Sequence, residues 1–127
     1  MDIYNLTNLI IKTSGPWLTE NNTAKLSMDK NKIYSSFHFK QLNLVNSQRN
    51  TIKRFKKFKI PKDLSNLTVQ EFGCNLGALS FECLRRNCLS VTSFDINDER
   101  IHTCIEIAKY LNYDNKSKFQ VIDLRNY

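Results

Sequence analysis

Glu71, Gly73, Cys74, Asn75 and Gly77 stand together in "VQEFGCNLGALSFE", residues 69–82, within a chain that has only three glycines. A β-type run carries into an acid, two glycines follow four apart, and an amphipathic apolar pattern then begins. Gly73 permits a sharp turn without a Cβ penalty, and Gly77 lets a helix start close to whatever sits above the strand. Asn75, between them, is among the few residue types that accept left-handed backbone. The amides at the helix start are then expected to face a polar ligand. A carboxylate at Glu71 repels a pyrophosphate but suits a positively charged group such as a sulfonium or an α-amine.

Two further acids extend the pattern. Asp95 lies 22 residues beyond Gly73, at the end of a second β-type run. A carboxylate there can accept hydrogen bonds from both hydroxyls of a ribose; its plainer role is to cap the helical segment that begins at Asp98. Asp123 closes a third β-type run, where it could accept a bond from the exocyclic amine of a base or simply serve a turn. The expectation is that all three carboxylates converge around one glycine-lined notch. A nicotinamide-dinucleotide fingerprint needs glycine at 73, 75 and 78, where the chain has Gly73, Asn75 and Ala78, so that reading is weak. A Walker loop is weaker still, because no Gly-Lys-Ser or Gly-Lys-Thr follows.

The elements that must position these acids alternate. "TVQEF" (68–72), "SVTSFD" (90–95) and "KFQVID" (118–123) read as strands. "ALSFECLRRN" (78–87) and "DERIHTCIEIAKYLN" (98–112) read as helices. In the first, Leu79, Cys83 and Leu84 or Phe81 face inward. In the second, Asn97 or Asp98 is the cap, and Ile101, Cys104, Ile105, Ala108 and Leu111 share one face. Strand–helix–strand–helix–strand implies right-handed crossovers and a parallel sheet flanked by helices, an α/β fold.

Residues 68–125 resemble the cofactor-binding half of class I, Rossmann-like S-adenosylmethionine-dependent methyltransferases. The resemblance implies that Glu71, Gly73, Cys74, Asn75 and Gly77 hold the methionine part of the cofactor. It implies that Asp95 holds the ribose, with Ile96 against the adenine, and that Asp123 and Leu124 flank the base. Asn75 stands where the family more often has glycine. That family's sheet has seven strands and this chain supplies three, so the expectation is an amino-terminal fragment truncated after the third strand. Methyl transfer by this chain alone is then doubtful, its acceptor (small molecule, glycan or RNA) is unidentified, and no catalytic residue is nominated. Tyr34, His38 and Arg49 are the only candidates to touch an acceptor.

Charge divides the chain near residue 65. Residues 1–65 hold twelve Lys or Arg against four acids, and residues 66–127 hold seven against eight, so the net charge of +7 belongs to the front. The expected organisation is a basic leader (1–65) and a partial Rossmann-like domain (66–127). Within the leader, 3–12 reads as a short helix with Leu6, Leu9 and Ile10 inward. "SGPW" (14–17) breaks it, 18–32 is polar and loop-like, and 33–45 reads as an extended or hairpin-like arm. "SQRNTIKRFKKF" (47–58) reads as a helix capped by Ser47, with Ile52, Phe55 and Phe58 on one stripe. Its cations Lys53, Arg54, Lys56, Lys57 and Lys59 are either a solvated face or a strip for an anionic partner such as RNA, a phosphorylated metabolite or a glycan. The alternative to an enzyme is therefore a non-catalytic module whose leader contacts nucleic acid or a partner subunit.

No apolar run approaches the roughly 18 residues of a membrane span, and Asp2 stands where a secretory leader carries positive charge. Cys74, Cys83, Cys88 and Cys104 form no C-x-x-C pair and sit among apolar neighbours. They read as reduced thiols buried as small hydrophobes in a cytoplasmic protein.

Overall fold

Period-two alternation in three short runs builds the central sheet, and everything else packs around it. The computed structural model describes residues 1–15, 17–18, 24–25 and 33–126. In chain order the elements are α1 (Ile3–Ser14), β1 (Trp17–Leu18), β2 (Ala24–Lys25), β3 (Ile33–Ser35), β4 (Phe37–His38), β5 (Asn43–Leu44) and β6 (Ser47–Arg49). There follow α2 (Thr51–Lys57), β7 (Thr68–Phe72), α3 (Ala78–Arg85), β8 (Ser90–Asp95), α4 (Asp98–Tyr110), β9 (Ser117–Val121) and a 3-10 turn at Leu124–Asn126. The expected loop over 18–32 lies largely outside the described residues; within it only the antiparallel β1–β2 pairing is described.

Strands β7, β8 and β9 form a parallel sheet in that order. The register aligns Glu71 with Ser93 and Ser93 with Phe119, so these three share one face. Helix α3 is fixed on that face: Ser80 bonds both Glu71 and Ser93, and the Phe81 ring lies 5.3 Å from that of Phe119. Helix α4 adds Ile101, Cys104, Ile107 and Ala108 to the same core. Ile105, expected inward, is exposed, and Ile107 takes its place because the α4 stripe runs 104, 107, 108, 111. Strand β9 ends at Val121, so Asp123 stands two residues past the ladder rather than at its end.

The leader closes onto this unit through the same apolar cluster, which holds Leu6, Ile10, Ile33, Phe37, Phe39, Leu42 and Phe55. Helix α1 lies on α4, where the Thr13 and Thr103 hydroxyls meet at 3.0 Å and Arg100 Nε donates to the Thr13 carbonyl. The arm contains the antiparallel hairpin β4–β5. The helix expected from Ser47 starts later, because Ser47–Arg49 pairs in parallel with β3 and Asn50 caps α2 through Lys53 N, 2.9 Å. Ser47 Oγ instead donates to the Arg49 carbonyl.

Helix α2 also ends one residue early. Lys59 N donates to the Lys56 carbonyl and Ile60 N to the Phe55 carbonyl, while Lys59 takes φ 56°, which is the Schellman arrangement. This turns Ile60 toward the core and Phe58 out: Phe55 is 2% exposed and Phe58 64%. The expected Ile52/Phe55/Phe58 stripe is thus corrected to Phe55 with half-buried Ile52 and Ile60. A lysine at a left-handed position carries about 1 kcal/mol of strain that glycine avoids. Lys59→Gly is expected to raise stability by up to about 1 kcal/mol in urea denaturation; a loss would show that the turn is not strained.

A buried carboxylate joins the two parts. Glu82, 2% exposed, accepts from Arg85 and from Arg86 at 2.8 Å. Arg86 also donates to the Ile60 and Pro61 carbonyls and lies 4.6 Å over the Phe55 ring. One guanidinium therefore ties α3 to the end of α2.

Candidate functional site

The turn after β7 is built around a left-handed backbone. Gly73 has φ 72°, Asn75 φ 54° and Gly77 φ 79°, as the residue types predicted. The two glycines differ in purpose. A Cβ on Gly73 would meet no atom within 4 Å, so the space above it is open. A Cβ on Gly77 would stand 3.0 Å from the Phe81 ring and 3.2 Å from that of Phe119. Gly77 therefore serves close packing beneath α3, as its expected part in letting the helix start close to the strand requires.

The amides of the loop itself, residues 73–77, are committed inward. Gly73 N and Cys74 N donate to the Phe94 carbonyl, Asn75 N to Asp95 Oδ2 at 2.8 Å, Leu76 N to Asn75 Oδ1, and Gly77 N to the Cys74 carbonyl. The physical reason is Asp95, whose carboxylate reaches across from β8 and pins the loop. Its other oxygen accepts Asn97 N at 3.0 Å. A carboxylate offers about four acceptor positions, so Asp95 retains acceptor capacity toward the open side.

Two hollows flank Gly73, which lines both. The first, about 150 Å³, is bounded by Tyr34, Arg54, Glu71, Asn75 and Leu79 among others. The second, about 250 Å³, is bounded by Phe94, Asp95, Ile96, Ile122, Asp123, Leu124 and Arg125. Each is below the roughly 300 Å³ at which small-molecule pockets begin. The three acids thus do not share one notch: Glu71 faces the first hollow, and Asp95 and Asp123 face the second.

Glu71 accepts from Ser80 Oγ at 2.6 Å, and Ser80 in turn meets Ser93 Oγ at 2.6 Å. Burial pushes the Glu71 carboxyl up to about 7, against the opposing pull of the Ser80 hydroxyl and amide and of the Arg54 charge, with Asp95 adding slightly to the rise. Asp123 is held differently. Arg125 contacts it with Nε at 2.9 Å, Nη2 at 2.6 Å and its amide at 3.0 Å, and these bonds hold its pKa below the usual carboxylate range. Any bond from Asp123 to a base competes with that pair. Ile96 and Leu124 stand exposed on the rim of the second hollow, an apolar pair beside Phe94, itself stacked on Phe72 at 5.1 Å. Cys74 is buried, its thiol on the Asn75 carbonyl at 3.7 Å, and Cys104 approaches the same oxygen at 3.3 Å. All four cysteines are free and buried, and burial pushes Cys83 up to about 12.

Of the leader candidates, Tyr34 lines the first hollow and Arg49 lies over its ring at 5.6 Å. His38 lies elsewhere, bonded to Ser36 Oγ near Glu82 and Arg85, with its pKa lowered chiefly by burial. Arg54 and Ser80 are the residues sequence reasoning missed at the site. Ser80 was signalled by a polar residue inside the buried stripe of α3; Arg54 was hidden in a run of cations.

No family model matches this chain, and no curated protein matches it. Solved structures do. The WbdD structure with the kinase inhibitor LY294002 aligns over 64% of this chain and 20% of its own, with TM-score 0.52 and 20% identity. PRMT6-SAH aligns over 60% and 23%, with TM-score 0.51 and 17% identity. A conserved hypothetical protein from Streptococcus pyogenes aligns over 57% and 46%, with TM-score 0.51 and 14% identity. The chain spans less than half the length of these matched chains. The fold is α/β and Rossmann-like.

Proposed function

We propose that the chain carries the S-adenosylmethionine site of a methyltransferase. The observation that carries this reading is the pair of hollows joined at Gly73, one faced by Glu71 and the other by Asp95. Neither suffices for a drug-sized ligand alone, and a ligand with an amino-acid end and a nucleoside end fits the pair. Glu71 would hold the amino group and Arg54 the carboxylate; Arg54 makes no ion pair among the described residues. The open acceptor positions of Asp95 suit the ribose, and Ile96, Leu124 and Asp123 suit the base. When bound, the cofactor supplies a methyl group on a positively charged sulfur. Transfer to an acceptor then asks the protein for alignment and exclusion of water more than for proton transfer. No helix of the described residues is long and apolar enough to cross a membrane. With its four free thiols we place the protein in the cytoplasm.

The test is a titration of the ¹⁵N-labelled chain with S-adenosylhomocysteine, followed at the amides of Gly73, Asn75, Asp95 and Ile96. These are expected to shift, and Asp95→Ala is expected to weaken the binding at least tenfold, since it removes the ribose acceptor and frees the Asn75 amide. Equal or larger shifts with NAD, or none with either, would sink the reading. The competing module without catalysis gains support from the unneutralised cations of α2.

A further inference from the structure

Phe58 stands out of the core in the middle of a cationic surface. Lys53, Lys56, Lys57, Lys59 and Lys62, within five residues of it in the chain, are all exposed, and none forms an ion pair among the described residues. The nearest acid in sequence, Asp63, is occupied by the amide and hydroxyl of Ser65. The Schellman turn that aims Phe58 outward does so at the expense of a left-handed lysine. Phe58 follows Arg54 by one helical turn, about 6 Å, and Arg54 lines the first hollow.

We infer that the end of α2 is a docking surface for single-stranded nucleic acid, with a base stacked on Phe58 and phosphates along the lysines. A stacking aromatic set among cations is the arrangement by which such strands are held without sequence readout. A lipid surface is disfavoured because Phe58 is the one exposed large hydrophobic side chain between Thr51 and Lys62; Ile52 and Ile60 are half-buried and Phe55 is buried. Where the methyl-transfer reading holds, on which this part rests, the strand lies one nucleotide from the first hollow and is the acceptor.

The test uses the full chain and a fluorescein-labelled mixed-sequence twelve-nucleotide RNA, with its DNA counterpart, read by fluorescence anisotropy. Binding is expected to fall with salt at a slope of about −3 in log–log form, four phosphates at about 0.7 each. Phe58→Ala and Phe58→Leu should each weaken it about tenfold, Phe58→Trp should restore it, and neither loss should appear with heparin, which has no bases. Lys56→Glu with Lys57→Glu should weaken both ligands. Binding of RNA unaffected by Phe58→Ala, or Phe58-dependent binding to phosphatidylserine vesicles without RNA binding, would overturn the inference. S-adenosylhomocysteine titration reads the nucleoside site separately. Strand binding without nucleoside binding overturns the cofactor reading alone, and the reverse overturns this one.

Discussion

Glu71→Gln is expected to melt several degrees above the native chain at pH 8 and to bind S-adenosylhomocysteine at least tenfold more weakly. The two effects have opposite signs because one carboxylate is costly to the fold and useful to the ligand. Its pKa rises from 4.5 to about 7 on folding. A raised carboxyl pKa means that the folded chain binds the proton more tightly than the unfolded one. The associated stability is fully present below about pH 4.5 and is lost as pH rises through 7. The whole difference is about 3 kcal/mol. Gln keeps an acceptor for the Ser80 hydroxyl and carries no charge, so the difference in stability between the two proteins should open between pH 5 and 8. Affinity for an α-amine runs the other way: the native chain gains it as Glu71 ionises, and the variant does not. Thermal melts and titrations at pH 5.5 and 8 measure both. A variant less stable than native at pH 8, or one with unchanged affinity, would remove Glu71 from the site.

Arg86→Ala is the substitution expected to cost the fold most. It leaves Glu82, 2% exposed, with only the half-exposed Arg85 as counter-charge. It also strips the Ile60 and Pro61 carbonyls of a donor and Phe55 of its cation. Breaking one side of a buried pair typically costs 3–5 kcal/mol, against a total of about 5–15 for a domain. Urea denaturation should show a loss of about 3 kcal/mol or more. Pairing Arg86→Met with Glu82→Gln should recover part of it, because no charge is then buried alone. A loss below 1 kcal/mol would mean that α2 is not hung from this clasp. The clasp bears on the site because α2 is what brings Arg54 to the first hollow.

How much of this was legible beforehand depends on the range of the forces involved. Thr68–Phe72 and Ser90–Asp95 are strands over the residues that alternation marks, and α4 starts behind Asn97, whose cap is a contact of three residues. The left-handed turn at Gly73, Asn75 and Gly77 was readable because steric exclusion acts within one residue. Less legible were Ser47, drawn into a strand by Ile33, and Phe58, turned out by hydrogen bonds at the end of α2. The placing of Arg54 and Glu71 on one hollow also left no local mark.

Backbone sterics and apolar periodicity, which act over a few residues, were enough by themselves to define a strand–turn–helix with an acid ahead of its glycines and two more acids after later strands. Which group each acid meets was decided only by folding. Asp95 takes a loop amide, Asp123 an arginine, and Glu71 a serine in a pocket dry enough to lift its pKa. Hydrogen bonds and desolvation depend on neighbours distant in the chain, and those neighbours are set by the packing of the whole.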